Sequence, residues 1–175
     1  MLYIVEMALK AGHTDEDWYK WESEMKSAEV LMTVSGFRAA QRFKGVTDPM
    51  AYCGIYSIAA PEVMTSPEYR NVGGGTRVEH WNSHITYWHR DMVEGVGIAP
   101  AVPEGYYLLV TSSNQSDFSD HGFPFIRLDV TGLNKSVAHR GIAVVPLEVA
   151  KSKASLEPDI RIYRPIAPQL LKISP

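Results

Sequence analysis

Apolar positions alternate with a period of two over Leu2 to Leu9, with Leu2, Ile4, Glu6 and Ala8 on one face and Tyr3, Val5, Met7 and Leu9 on the other. Both faces are rich in apolar residues, the mark of a strand covered on two sides. Glu6 is the exception, and a carboxylate there belongs at a pocket or at an edge that reaches water. Thr14 and Asp17 then form a variant capping box. Trp18, Trp21, Met25, Ala28 and Met32 follow at spacings of three and four, which predicts an amphipathic helix ended by Ser35-Gly36. Period two returns over Phe37 to Lys44 and Ala51 to Ile58, two strands joined by a short turn, with Tyr52, Gly54, Tyr56 and Ile58 sharing a face. After Pro61 a short helix restarts at Ser66-Pro67-Glu68 and stops at the triple glycine Gly73 to Gly75. A fourth strand from about Ser83 places His84, Thr86, Trp88 and Arg90 on one face.

The first half therefore reads as β-α-β-β-α-β, a ferredoxin-like unit. Its two helices cover only one face of a four-stranded sheet, so the other face must meet a second sheet, from this chain or another. Gly95 to Gly105 is a connector rich in Gly and Pro. Beyond it Tyr106–Thr111, Phe125–Val130, Ser136–Val145 and Ile160–Arg164 are strand candidates, and Leu147–Leu156 is a short helix. Val130-Thr131-Gly132-Leu133 echoes Val34-Ser35-Gly36-Phe37 at the equivalent place. The expected fold class is α+β, a ferredoxin-like βαββαβ unit repeated twice with a helix-poor second copy. Residues 1–94 and 106–175 form the halves, residues 95–105 join them, and the sheets face each other.

At 175 residues and 45% apolar, the chain is long enough for a full core. The formal charge of −3 comes without a basic run, which argues against nucleic acid or an anionic membrane as a partner. A single cysteine, Cys53, excludes an internal disulfide and a cysteine-based zinc site. No apolar run approaches the length of a membrane helix, and a soluble cytoplasmic protein is expected. Gly73 to Gly75 lacks the Lys-Ser/Thr of a phosphate loop and reads as linker.

Trp-Glu-Ser-Glu-Met-Lys from Trp21, Val-Ser-Gly-Phe-Arg-Ala-Ala-Gln-Arg-Phe from Val34, Ala51 to Ile58 and Ser66 to Arg70 resemble the dimeric α+β barrel superfamily, closest to its EthD-like branch. The likeness covers roughly residues 1 to 92 and consists mostly of core and turn residues. It implies two ferredoxin-like sheets enclosing a pocket, and homodimer formation. Members include muconolactone isomerases, polyketide cyclases, cofactor-free quinone-forming monooxygenases and haem-binding barrels. The EthD-like branch usually carries a histidine late in the first helix. Met25 and Lys26 stand at the matching positions here, so no family catalytic residue carries over.

Candidate chemistry concentrates in Glu79 to Arg90, which holds three of the six histidines. His84 is the first candidate acid or base, since imidazole titrates near neutral pH. Arg90 could stabilise an enolate, and Tyr56 could donate to a substrate carbonyl. His139 is a further acid–base candidate, and His121 is expected in a solvated loop. Trp88 would offer a stacking surface, with Glu6 and Arg42 as further ligand contacts or as a buried pair. Each has a bland alternative as hydrogen-bonded or packed structure. A helical reading would set His80 and His84 one turn apart for a metal, with Glu79, His89 or Asp91 as third ligand, and a haem would want His84 or His139. The reading favoured is a cofactor-independent isomerase, cyclase or lyase acting on a cyclic or aromatic molecule. A non-catalytic binding barrel and a haem- or metal-binding barrel, including a monooxygenase type, are the alternatives.

Overall fold

Strand β1 (Leu2–Leu9) is buried along its whole length, as two apolar faces require. It pairs antiparallel with β3 (Ala51–Ile58) on one side and with β4 (Ile85–Glu94) on the other. β2 (Phe37–Gly45) pairs with β3, so the first half has the sheet order β2-β3-β1-β4. A computed structural model describes residues 1–25, 27–72, 83–115, 118, 124–154 and 159–172. Within them the single helix read from the sequence is recorded as α1 (Asp15–Met25) and α2 (Ser27–Thr33). Thr14 and Asp17 make the capping exchange. Gly36, at φ +89°, takes the left-handed turn into β2, and a Cβ there would stand 2.4 Å from Val63 Cγ2. A 3-10 turn (Pro61–Thr65) leads into α3 (Pro67–Asn71), whose first turn is capped by Ser66 Oγ accepting from Tyr69 N.

The second half repeats the plan with β5 (Tyr106–Ser113), β6 (Ile126–Leu133), β7 (His139–Pro146), α4 (Leu147–Ala154) and β8 (Arg161–Pro165). Its order is β6-β7-β5-β8, and β4–β6 and β2–β8 pairings join the two sheets into a closed eight-stranded barrel within one chain. A two-residue strand, β9 (Leu170–Leu171), runs beside β2 and has no counterpart in the sequence reading.

The space between the sheets is a packed core, which corrects the expectation of a hollow there. Leu2, Ile4, Phe43, Leu108, Leu128, Ile142 and Tyr163 fill it at no more than 1% exposure each. Ala99 and Val102 of the connector plug one end. Ala99 N donates to Ser57 Oγ, and Val102 exchanges two hydrogen bonds with the Gln41 amide. Toward the other end lie the charged groups. Arg140 bonds Asp91 through Nε (2.8 Å) and Nη2 (2.5 Å), and bonds Glu6 Oε2 through Nη1 (3.1 Å). Arg161 Nη1 meets the same Glu6 oxygen at 3.0 Å, and Tyr163 OH donates to Glu6 Oε1 at 2.7 Å. β1 and β4 supply the acids while β7 and β8 supply the bases, so this network ties the halves together.

Candidate functional site

With the interior filled, the opposite face of the β2-β3-β1-β4 sheet is the one that gathers charged and aromatic candidates. Its registers align four residues across four strands: Arg42 opposite Gly54, Gly54 opposite Val5, and Val5 opposite Arg90. The next row is Ala40, Tyr56, Tyr3 and Met92, and the one on the other side is Lys44, Tyr52, Met7 and Trp88. The floor is thus shallow in the middle, with a guanidinium at each end and aromatic walls. Gly54 is the one position of β3 that is not fully buried. A Cβ on it would lie 3.0 Å from the Tyr56 ring and 3.1 Å from its hydroxyl, so the absent side chain lets the phenol lean over the row of the two arginines.

The helices roof this face. α2 packs on β2, whereas the close backbone neighbours of α1 are those of α2. α1 is moored at its start, where Asp15 accepts from Tyr52 OH (2.6 Å) and pairs with Lys44, and Trp18 packs on the Tyr52 ring. Tyr69 of α3 stacks on Phe37, and Phe37 meets the edge of Tyr56, which in turn stacks on Tyr3 at 5.6 Å.

Burial pushes the Tyr56 hydroxyl up to about 12, against the pull of the Arg42 charge. Burial likewise raises Tyr3 well above its ordinary value, helped by Tyr69 and opposed by Arg90 beside it. Arg42 is lowered by burial, with Tyr56 and Tyr19 opposing. At neutral pH these phenols are therefore donors and not bases. Among the described residues Arg90 Nε is the buried side-chain donor that lacks a hydrogen-bond partner. Buried polar groups are nearly always paired, so an unpartnered Arg90 Nε on this face marks a place for an acceptor from outside the chain. The raised phenol also sets a pH dependence. Unfolded tyrosine titrates near 10, so the native state binds more protons between pH 10 and 12, and stability is expected to fall across that window. Alkaline denaturation of the wild type and of Tyr56→Phe checks this, since the variant should lose less stability there.

The structure brings Arg90, Tyr56, Arg42 and Trp88 onto this face, and adds Tyr3, Tyr69 and Gly54, which were not singled out from the sequence. It does not bring His84. The strand begins at Ile85, and a register shift at Ala8/Leu9 breaks the period that would align His84 with Arg90. His84 O accepts from Lys10 N, five residues along β1 from Val5 and so about 16 Å away. Its Nδ1 lies 3.0 Å from His13 Nε2. Glu6 points into the barrel and pairs with Arg140 and Arg161, so it forms no pair with Arg42. His139 faces outward, its Nδ1 2.8 Å from Asp129 Oδ1, an oxygen that Arg127 also holds. His89 Nε2 touches both Asp91 Oδ2 (3.0 Å) and Ser136 Oγ (3.3 Å), and because one nitrogen makes both contacts this is no Ser-His-Asp relay. His80, Glu79, His121 and Gly73 to Gly75 lie outside the described residues.

Among the described residues no group of three or more His, Cys, Asp or Glu could hold a metal ion. The described residues of this face include no histidine or cysteine in the Arg42–Arg90 row to ligate a haem iron, and Cys53 faces the core, its thiol pushed up by burial. Guanidinium and phenol groups fit an organic anion or carbonyl. Among the described residues no helix is long and apolar enough to cross a membrane.

The chain is a closed, single-chain α+β barrel whose helix-side face carries two guanidinium groups and an aromatic cluster. The fold is a ferredoxin-like α+β barrel, and solved structures share it. The chain is similar over 97% of its length to 92% of an anthrone oxidase-like protein, with a TM-score of 0.63 and 11% identity. It is also similar over 95% of its length to 95% of a chlorite dismutase-like protein (TM-score 0.55, 12% identity). A third likeness, over 98% of this chain and 99% of the other, is to a monooxygenase-like protein from Lactobacillus acidophilus (TM-score 0.53, 8% identity). No protein-family model and no curated protein matches the sequence.

Proposed function

We propose that the chain is an enzyme that removes a proton from a planar, enolisable aromatic molecule bound in the helix-covered hollow. The observation that carries this is Arg90 Nε, buried without a partner, in a row where the Tyr56 phenol leans over Gly54. In the step, a substrate C–H bond breaks, its electron pair moves through the ring system to the carbonyl oxygen, and the proton passes to water. Arg90 and Tyr56 stabilise the oxyanion so formed in a site largely closed to solvent, where preoriented donors lower the barrier most. Trp88 bounds the face on which the ring lies. Such an anion is the shared intermediate of isomerisation, cyclisation and elimination.

A second reading, addition of dioxygen to the same anion, is supported by the full-length likeness to an anthrone oxidase-like protein. Anthrone plus dioxygen would then give anthraquinone plus water. Anthrone in deuterated buffer tests both readings. Without air, the protein should accelerate deuterium uptake at the acidic carbon well above the buffer rate. Quinone formed in air at a protein-dependent rate would select the oxygen reading. Binding without exchange or product would reduce the protein to a carrier, and no interaction at all would remove the proposal.

A further inference from the structure

We infer that the cavity between the connector and the segment that follows β8 is a second binding site, and that its ligand is an apolar dipeptide or a zwitterion of that size. The cavity measures about 730 Å³, within the roughly 300–1,000 Å³ that holds drug-sized ligands, and none of its lining residues belongs to the site proposed above. One buried side chain holds both of its walls. Gln41, 3% exposed, donates from Nε2 to Val102 O of the connector (2.8 Å) and to Ala167 O of the later segment (3.1 Å), while its Oε1 accepts from Val102 N. Gln169 Nε2 ties the same segment to Ala99 O at 2.9 Å. Pro103, Pro165 and Pro168 fix the backbone around the cavity, so little ordering is left for a ligand to bring about.

Charge defines the ligand. Arg164 and Glu104 both line the cavity, and among the described residues neither has an ion-pair partner, the other included. Arg164 stands opposite Lys44 in the β2–β8 register, and Lys44 takes the carboxylate of Asp15. The guanidinium is thus a cation left over, suited to a carboxylate. Glu104 lies in a turn closed by Tyr106 N donating to Pro103 O, with Gly105 at φ +82°. It repels a simple anion and suits an ammonium, so a molecule carrying both charges answers both groups. The apolar body has its counterpart in Tyr106 and Leu171, 43% and 60% exposed, large hydrophobic side chains left uncovered at the same cavity. A single amino acid would leave much of the volume empty, whereas two apolar side chains can cover both surfaces.

Calorimetric titration with phenylalanyl-leucine, its N-acetyl form and its C-terminal amide tests the inference. The free dipeptide should bind the wild type at least about tenfold more tightly than either blocked form. Arg164→Gln should bring the free dipeptide down to the affinity of the amide, and Glu104→Gln to that of the N-acetyl form. Both positions are exposed, so both variants should fold as the wild type does, which circular dichroism checks. Tight binding of the N-acetyl form, lost in Arg164→Gln alone, would make this a plain anion site and overturn the zwitterion. Equal affinities of the three probes, binding that neither variant alters, or no heat with any probe would overturn the site as well.

Discussion

Replacing Arg140 with methionine is expected to cost about 3–5 kcal/mol of stability and lower the thermal midpoint by roughly 10 °C or more. Arg140 is 2% exposed and neutralises Glu6 and Asp91, both fully buried. Its removal strands Asp91 with only His89 and a backbone donor, Lys135 N. Glu6 keeps Arg161 and Tyr163, so the loss falls mainly on the β4–β7 side of the network. An unpaired buried carboxylate must be protonated or drag water into the core, and either route destabilises the native state. Chemical denaturation of Arg140→Met measures the effect, and a loss under about 1 kcal/mol would show that the network contributes little to joining the two sheets.

The second large effect concerns chemistry. Arg90→Gln is expected to slow deuterium exchange into anthrone about 100-fold or more, the usual consequence of removing one oxyanion-stabilising donor. Stability should change little by comparison, because Arg90 Nε already lacks a partner and its charge has no carboxylate to neutralise among the described contacts. Exchange rates at saturating anthrone, set beside denaturation curves, separate the two effects. A variant that exchanges at the wild-type rate would take Arg90 out of the proposed mechanism.

The fold was largely legible because it is written in periodicity. Seven apolar residues in β1, a capping box before α1, and Ser66-Pro67 before α3 each enforce their element locally. Even the need for a second sheet followed from the number of helices available to cover the first. The residues of the proposed site were legible one by one but not as a place. Arg90, Tyr56, Arg42 and Trp88 were singled out, and Tyr52, Gly54 and Tyr56 were read on one face, yet the side of the sheet that packs as the barrel core was expected to be hollow. Two long-range facts decide that, and neither has a local signature. The connector inserts Ala99 and Val102 into the barrel end, and the second half supplies Arg140 and Arg161 to satisfy Glu6. His84 was misplaced for a different reason. A register irregularity near the start of β4 reverses the facing of everything before it, and such a shift has no reliable mark in a single sequence.

Cys53 and Gly54 are neighbours on β3 that face opposite ways, Cys53 into the barrel core and Gly54 toward the helices. Deuterium exchange into anthrone by Cys53→Ala and Gly54→Leu therefore asks which side of the sheet does the work. Crowding the Tyr56 phenol with Gly54→Leu should abolish protein-dependent exchange, while Cys53→Ala, after correction for any unfolded fraction, should retain it. Full exchange by Gly54→Leu together with its loss in folded Cys53→Ala would return the site to the barrel interior and contradict the account.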